Sequence, residues 1–172
     1  ENEITNAFHE LFANKFLVQL DRSKWGSIEL LELDDQKIQI INDYMLSLIK
    51  SGDPLRQWHC QEIADSAPGY ISKLLKFDEF SLYYSAYHSG GNIACLGRLI
   101  IGDPSFFKDS GDRYEIEHLV YDILKTAGRP MKSNEIKAEI LKKRGLGRTF
   151  QIHPGDRMVI LSPGLFALTE WY

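Results

Sequence analysis

The sequence predicts an α+β chain in which an N-terminal helical arm precedes two helix-turn-helix units, each closed by a β-hairpin. Three observations carry this reading. Positions 115–171 hold, in order, an amphipathic helix, a Gly-and-Pro turn, a Lys-rich helix and two apolar runs around a Pro-Gly turn. An earlier stretch repeats the same order, and a polar, turn-rich segment lies between the two. The expected organisation is an arm at 1–34, a first module at 35–110 and a second at 111–172. A hairpin appended to a helix-turn-helix is a wing, so the architecture expected is a tandem pair of winged helix-turn-helix modules.

The arm comes from Ile4, Ala7, Phe8, Leu11 and Phe12, which recur at helical spacing in a pattern that extends towards Leu20. Asp21-Arg22-Ser23-Lys24 is a polar break. The run 28–33 fits either a strand or a helical turn. Asp34-Asp35 then opens a helix with Ile38, Ile41, Met45, Leu48 and Ile49 on one face. Adjacent carboxylates just before a helix suit its positive end, and this reading is preferred to a metal-binding nuclease pair.

The first module continues through Lys50-Ser51-Gly52-Asp53-Pro54 into a helix expected near 58–65. Ser66-Ala67-Pro68-Gly69 separates it from a third helix at 70–76, packed by Ile71, Leu74 and Leu75. In a DNA-binding helix-turn-helix this helix enters the major groove, so Ser72, Lys73 and Lys76 are candidate contacts. The runs 80–87 and 93–100, joined by Ser89-Gly90-Gly91-Asn92, predict the first wing. Within them, Tyr83, Tyr84, Tyr87 and His88 can be read as a platform for stacking bases or simply as favoured strand residues. The polar stretches 102–105 and 108–112 form the expected linker.

In the second module Ile116, Leu119, Val120, Ile123 and Leu124 form one apolar stripe. Gly128 and Pro130 end that helix, and Ser133 is the expected cap of the next, over 134–144. Ile136, Ile140 and Leu141 are expected to face inward, and Lys137, Lys142, Lys143 and Arg144 outward. Gly145-Leu146-Gly147 ends the helix, and His153-Pro154-Gly155-Asp156 cuts any third helix short. Met158-Val159-Ile160-Leu161 and Leu165-Phe166-Ala167-Leu168, around Ser162-Pro163-Gly164, predict a hairpin. On its last strand Phe166 and Leu168 should alternate with Leu165 and Ala167, one pair facing the core and the other not, and Trp171 and Tyr172 either pack or stay open to a partner or second subunit.

The order ILKTAGRPMKSNEIKAEILKKRG followed by a hairpin ending GLFALTEW resembles the winged-helix modules of the bacterial RNA polymerase delta subunit and of some restriction and chromatin proteins. The resemblance covers the last third of the chain. It implies DNA binding, in transcription regulation or in targeting a DNA-processing or defence system. The first module echoes it: Leu48-Ile49-Lys50-Ser51-Gly52 parallels Ile123-Leu124-Lys125-Thr126-Ala127-Gly128, and Glu62-Ile63 parallels Glu135-Ile136.

Charge sharpens the expectation. The net charge of 172 residues is −4, yet positions 125–148 carry eight Lys or Arg against two Glu, while 1–100 carry nine basic against fourteen acidic residues. Duplex DNA is thus the expected partner of the second module, through Lys132, Ser133, Lys142, Lys143, Arg144, Arg148 and Thr149. The acidic half favours the alternative, a protein-interaction module of a larger complex. Apolar runs fall short of the roughly 18 to 20 residues of a membrane span, and no basic leader with an apolar stretch opens the sequence, so a cytoplasmic chain is expected. Cys60 and Cys95 could pair only once and lack zinc spacing, and His59 beside Cys60 reads as structural. No phosphate loop, nucleophile elbow or His-Glu-x-x-His is present, so no catalytic residue, metal or cofactor is expected and the chain reads as a non-enzyme.

Overall fold

The computed structural model describes residues 17–172; the helix expected from Ile4 to Phe12 lies outside them. Its extension towards Leu20 is corrected, because Leu17–Asp21 is a strand, β1, paired antiparallel with β2, Lys24–Ser27. The polar break at Asp21 and Lys24 is the turn of this hairpin. Val18 and Leu20 bury their side chains with Leu31 and Tyr84, and the run after β2 resolves as a 3-10 turn, Ile28–Leu31.

Helix α1, Asp35–Ser51, starts where expected: the Asp34 carboxylate accepts the Lys37 amide at 2.8 Å. Ile41, Met45 and Ile49 enter a core with Ile63, Ile71, Leu82 and Ile101. The chain then makes β3, Trp58–His59, and α2, Cys60–Ser66, so the helix expected near 58–65 begins two residues later. The expected third helix survives only as the four-residue α3, Gly69–Ser72. The long helix of this region is α4, Asp78–Tyr87, which corrects the strand expected at 80–87. Strands β4, Ala94–Cys95, and β5, Ile100–Gly102, complete a three-stranded antiparallel sheet in the order β3-β5-β4.

The second unit uses α5, Ile116–Ala127, closed by Gly128 in the left-handed region at φ 64°. Next come β6, Met131–Lys132, and α6, Ser133–Lys143. Ser133 is the first residue of α6 rather than its cap. The Glu135 carboxylate instead accepts the Lys132 amide at 2.8 Å. No helix or strand occupies 144–157. Strands β7, Met158–Ser162, and β8, Leu165–Leu168, follow, and the sheet order is β6-β8-β7. In both units the strand before the second helix pairs with the last strand, which lies in the middle of the sheet.

Two side chains of α6 face opposite to expectation. Leu141 is 41 % exposed, because it lies one helical step beyond the inward Ile140. Arg144 is 8 % exposed: it leaves the helix in an extended conformation that turns its guanidinium inward, onto the Tyr114 carbonyl at 2.5 Å. On β8, Phe166 and Leu168 join the core, but Ala167 is buried too, so the expected alternation is corrected and only Leu165 is left half-buried. Trp171 packs on that core, whereas Tyr172 is exposed. Among the described residues, no helix is long and apolar enough to cross a membrane.

The units meet along a hydrogen-bonded seam centred on Gln57, which is fully buried. Its amide donates to the Lys143 carbonyl at 2.9 Å, and its carbonyl accepts the Gly145 amide at 2.8 Å. Its side chain donates to the Asp112 carbonyl at 2.8 Å and accepts the Tyr114 amide at 2.9 Å. Gly145 must be glycine here, since a Cβ would collide with the His59 backbone nitrogen and the Glu62 carboxylate.

Candidate functional site

Of the lysines expected to contact DNA, Lys132 lies on β6 and Lys142 and Lys143 form the end of α6. Glu139 pairs with Lys142 at 2.7 Å, and Glu135 pairs with Arg129 at 2.8 Å. Lys132 and Lys143 are exposed. Ser133 is half-buried, its amide donating to the Gly164 carbonyl of the second wing at 2.8 Å.

The other expected contacts point within the chain. Arg148 forms a two-pronged pair with Asp65, its Nε at 3.0 Å from Oδ2, and its amide donates to Gln61 Oε1 at 2.6 Å. The Arg148 guanidinium holds the Asp65 carboxyl below its ordinary range. The Thr149 hydroxyl accepts from Arg22 at 2.6 Å. In the first unit Lys76 pairs with Glu32, while Ser72 and Lys73 are exposed. Arg148 thus ties this stretch to Gln61 and Asp65 of the first unit and Thr149 ties it to Arg22 of the β1–β2 hairpin, while the Arg144 guanidinium turns onto Tyr114 within the second unit.

Helix α4, which follows α3, is covered. Leu82 and Ala86 pack into the core of the first unit, and Tyr84 packs under the β1–β2 hairpin with Val18 and Leu20. Phe80, Ser81 and Ser85 are buried as well. Its first turn carries Asp78 and Glu79, which a phosphate backbone would repel. Of the tyrosines read as a stacking platform only Tyr87 is exposed: Tyr83 accepts the Gly97 amide at 3.0 Å, and the buried Tyr84 lies 4.3 Å from the His88 ring.

A cavity of about 520 Å³ opens where α4, the first wing, the β1–β2 hairpin and Gly147 of the second unit come together. Val18, Phe80, Tyr84 and Leu99 give it apolar walls, and Arg22, Arg98, Glu79 and His59 supply polar groups. His59 Nδ1 accepts the Gln61 amide at 3.1 Å, so the ring proton sits on Nε2. Burial first, then the positive charges of Arg144 and Arg22, lower the His59 pKa to about 4, which keeps the ring neutral near pH 7. The wing at its rim runs through three consecutive left-handed residues, Gly97 (φ 78°), Arg98 (φ 50°) and Leu99 (φ 61°).

Neither cysteine is a nucleophile in this setting. Both are free thiols; burial raises the Cys60 pKa and pushes that of Cys95 up to about 12. Among the described residues, no three His, Cys, Asp or Glu side chains group to hold a metal ion.

Sequence reasoning missed Gln57, the Gly145 and Gly147 contacts, and the strained wing. Two glycines around Leu146 were a legible signal, because that spacing suits a backbone pressed against a neighbour as well as a helix stop. Compared with protein-family models, curated proteins and solved structures, the chain matches none.

Proposed function

We propose that the chain is a tandem pair of winged-helix units that works as a protein-interaction module. The repeated sheet order, β3-β5-β4 and β6-β8-β7, supports the winged-helix assignment, since each unit runs helix, strand, helix and two wing strands. The observation that carries the functional reading is the fate of the groove-reading segment. In the first unit the expected third helix is cut to the four-residue α3 and the buried α4 follows it, while in the second the corresponding stretch is non-helical and docked on its neighbour.

The surface offered to a partner is the second wing. β7 is an outer strand of its sheet, and Ile160 and Leu161 on it are 48 % and 41 % exposed. Apolar residues on an open strand edge suit an extended segment of a partner protein added to the sheet. Capture by the intact chain, lost on Ile160→Lys at unchanged melting temperature, tests this surface; capture that survives the substitution contradicts it.

A second reading, phosphate contact with duplex DNA, is favoured by exposed Lys132, Lys142 and Lys143. Three lysines limit it: at roughly −0.9 per phosphate, the log-log salt slope should be no steeper than about −2.7. Titration at several salt concentrations, with selection from random duplexes, separates the readings. The interaction reading predicts no enriched sequence. An enriched motif with a steeper slope would favour a DNA-reading protein.

A further inference from the structure

The cavity beneath the first wing has a construction that neither a protein-binding strand edge nor a phosphate-contacting lysine requires. Its wing backbone is costly: two non-glycine residues, Arg98 and Leu99, stand in the left-handed region. The second wing turns with Pro163-Gly164 and needs only Gly164 there, at φ 74°. The first wing is held in its shape from three sides. Tyr83 accepts the Gly97 amide, Arg113 donates to the Leu96 carbonyl at 2.9 Å, and the Cys60 amide donates to the Leu99 carbonyl at 2.8 Å. The conformation sets Arg98 and Leu99 on the cavity wall.

The polar groups there are mostly donors. Among the described residues, the Arg98 guanidinium has no hydrogen-bonding or ion-pair partner, and His59 Nε2–H has no acceptor. Arg22 spends one nitrogen on Thr149 and keeps others. Glu79 is the single acid on the wall, against two arginines. Phe80, Tyr84, Val18 and Leu99 supply ring and aliphatic surface. Such a volume, with apolar walls and a few convergent donors, suits a small-molecule site.

We propose that this cavity binds a small organic acid with one planar ring and one anionic group, the ring against the apolar wall and the anion on Arg98 with His59 Nε2–H. A carboxylate and a phosphate share this chemistry. Neutral His59 donates without adding charge, so Arg98 supplies the charge selection.

The test is calorimetric titration of the full chain with indole-3-acetate, 5′-uridine monophosphate, inorganic phosphate and the neutral indole-3-ethanol. At least one ring acid should bind ten-fold or more tightly than both inorganic phosphate and the neutral ring. Arg98→Asn, which removes the charge while tolerating the left-handed backbone, should weaken that acid at least ten-fold, and Arg98→Lys should recover part of the loss. Circular dichroism of each variant checks that it folds, and should Arg98→Asn not fold, His59→Asn carries the same comparison. The carboxylate and phosphate arms show which anion is preferred. Binding by neither ring acid, equal binding of the neutral ring, or affinity unchanged in the folded variants would overturn the proposal.

Discussion

The two units share one order of elements and differ in what fills the gap between second helix and wing. The first unit fills it with α3 and α4, and α4 is buried on one side by its own core and on the other by the β1–β2 hairpin. The second unit fills it with 144–157, which has no helix; its start is tied to Gln57, Gln61 and Asp65 of the first unit, and Ile152 reaches back into the core. The difference teaches that the shared scaffold leaves this gap open to other uses. In the first unit α4 is buried and in the second the stretch has no helix, so a shared order of elements does not by itself fix function.

The sharpest way to break the comparison is to empty the two gaps in turn. Leu82→Ala, at a fully buried position of α4, should lower the unfolding free energy by about 3–4 kcal/mol, whereas Ile152→Ala, at the edge of its core, should cost about 2. Urea denaturation reads both, and equal losses would mean that the loop of the second unit packs as tightly as a helix.

The seam comes next. Gln57→Leu leaves the part-buried Asp112 carbonyl and Tyr114 amide without their Gln57 partners and should cost about 1–2 kcal/mol. It should also split one calorimetric unfolding transition into two, one for each unit. A single transition at the original midpoint would show that the seam does not couple them.

Acid should loosen the same region. The pKa of His59 lies near 4 in the folded chain and is ordinary, near 6.5, when unfolded, so between these values the unfolded state binds more protons. Its contribution is complete above about pH 6.5 and is lost as pH falls towards 4, amounting at pH 5 to at most about 2 kcal/mol, less where solvent reaches the ring. His59→Asn, whose side chain can still accept the Gln61 amide, should show a smaller stability difference between pH 7.5 and pH 5 than the wild type. An unchanged difference would assign the acid sensitivity elsewhere.

The smallest effect belongs to the C-terminus. Trp171→Ala should lower the melting temperature by a few degrees, because the ring packs on the second core, while removing Tyr172 should leave it unchanged. Thermal scans of the two variants separate these outcomes.

Amphipathic elements were legible in the sequence: α1, α5 and the β7–β8 hairpin appear where apolar spacing and Gly or Pro punctuation put them. Helix α4 was not, for a physical reason. A helix covered on both sides has no polar stripe, and its run of Phe, Leu and Tyr reads equally well as a buried strand. Asp78 and Glu79 at its start were the counter-signal, an acidic first helical turn. The lysine surface failed differently. Composition located the basic residues in 125–148, but the acceptors that claim Arg144 and Arg148, the Tyr114 carbonyl and Asp65, lie 30 and 83 positions earlier. Local spacing carries no information about partners at such separations.

Hydrogen exchange at the seam amides tests most directly whether residues 144–149 are held against the first unit. The Gln57, Gly145 and Arg148 amides all donate across the seam. They should exchange as slowly as amides within α1 and α5, through unfolding of the whole chain. If these three exchange orders of magnitude faster while α1 and α5 stay protected, the segment is not held against the first unit, and the reading built on its docking is wrong.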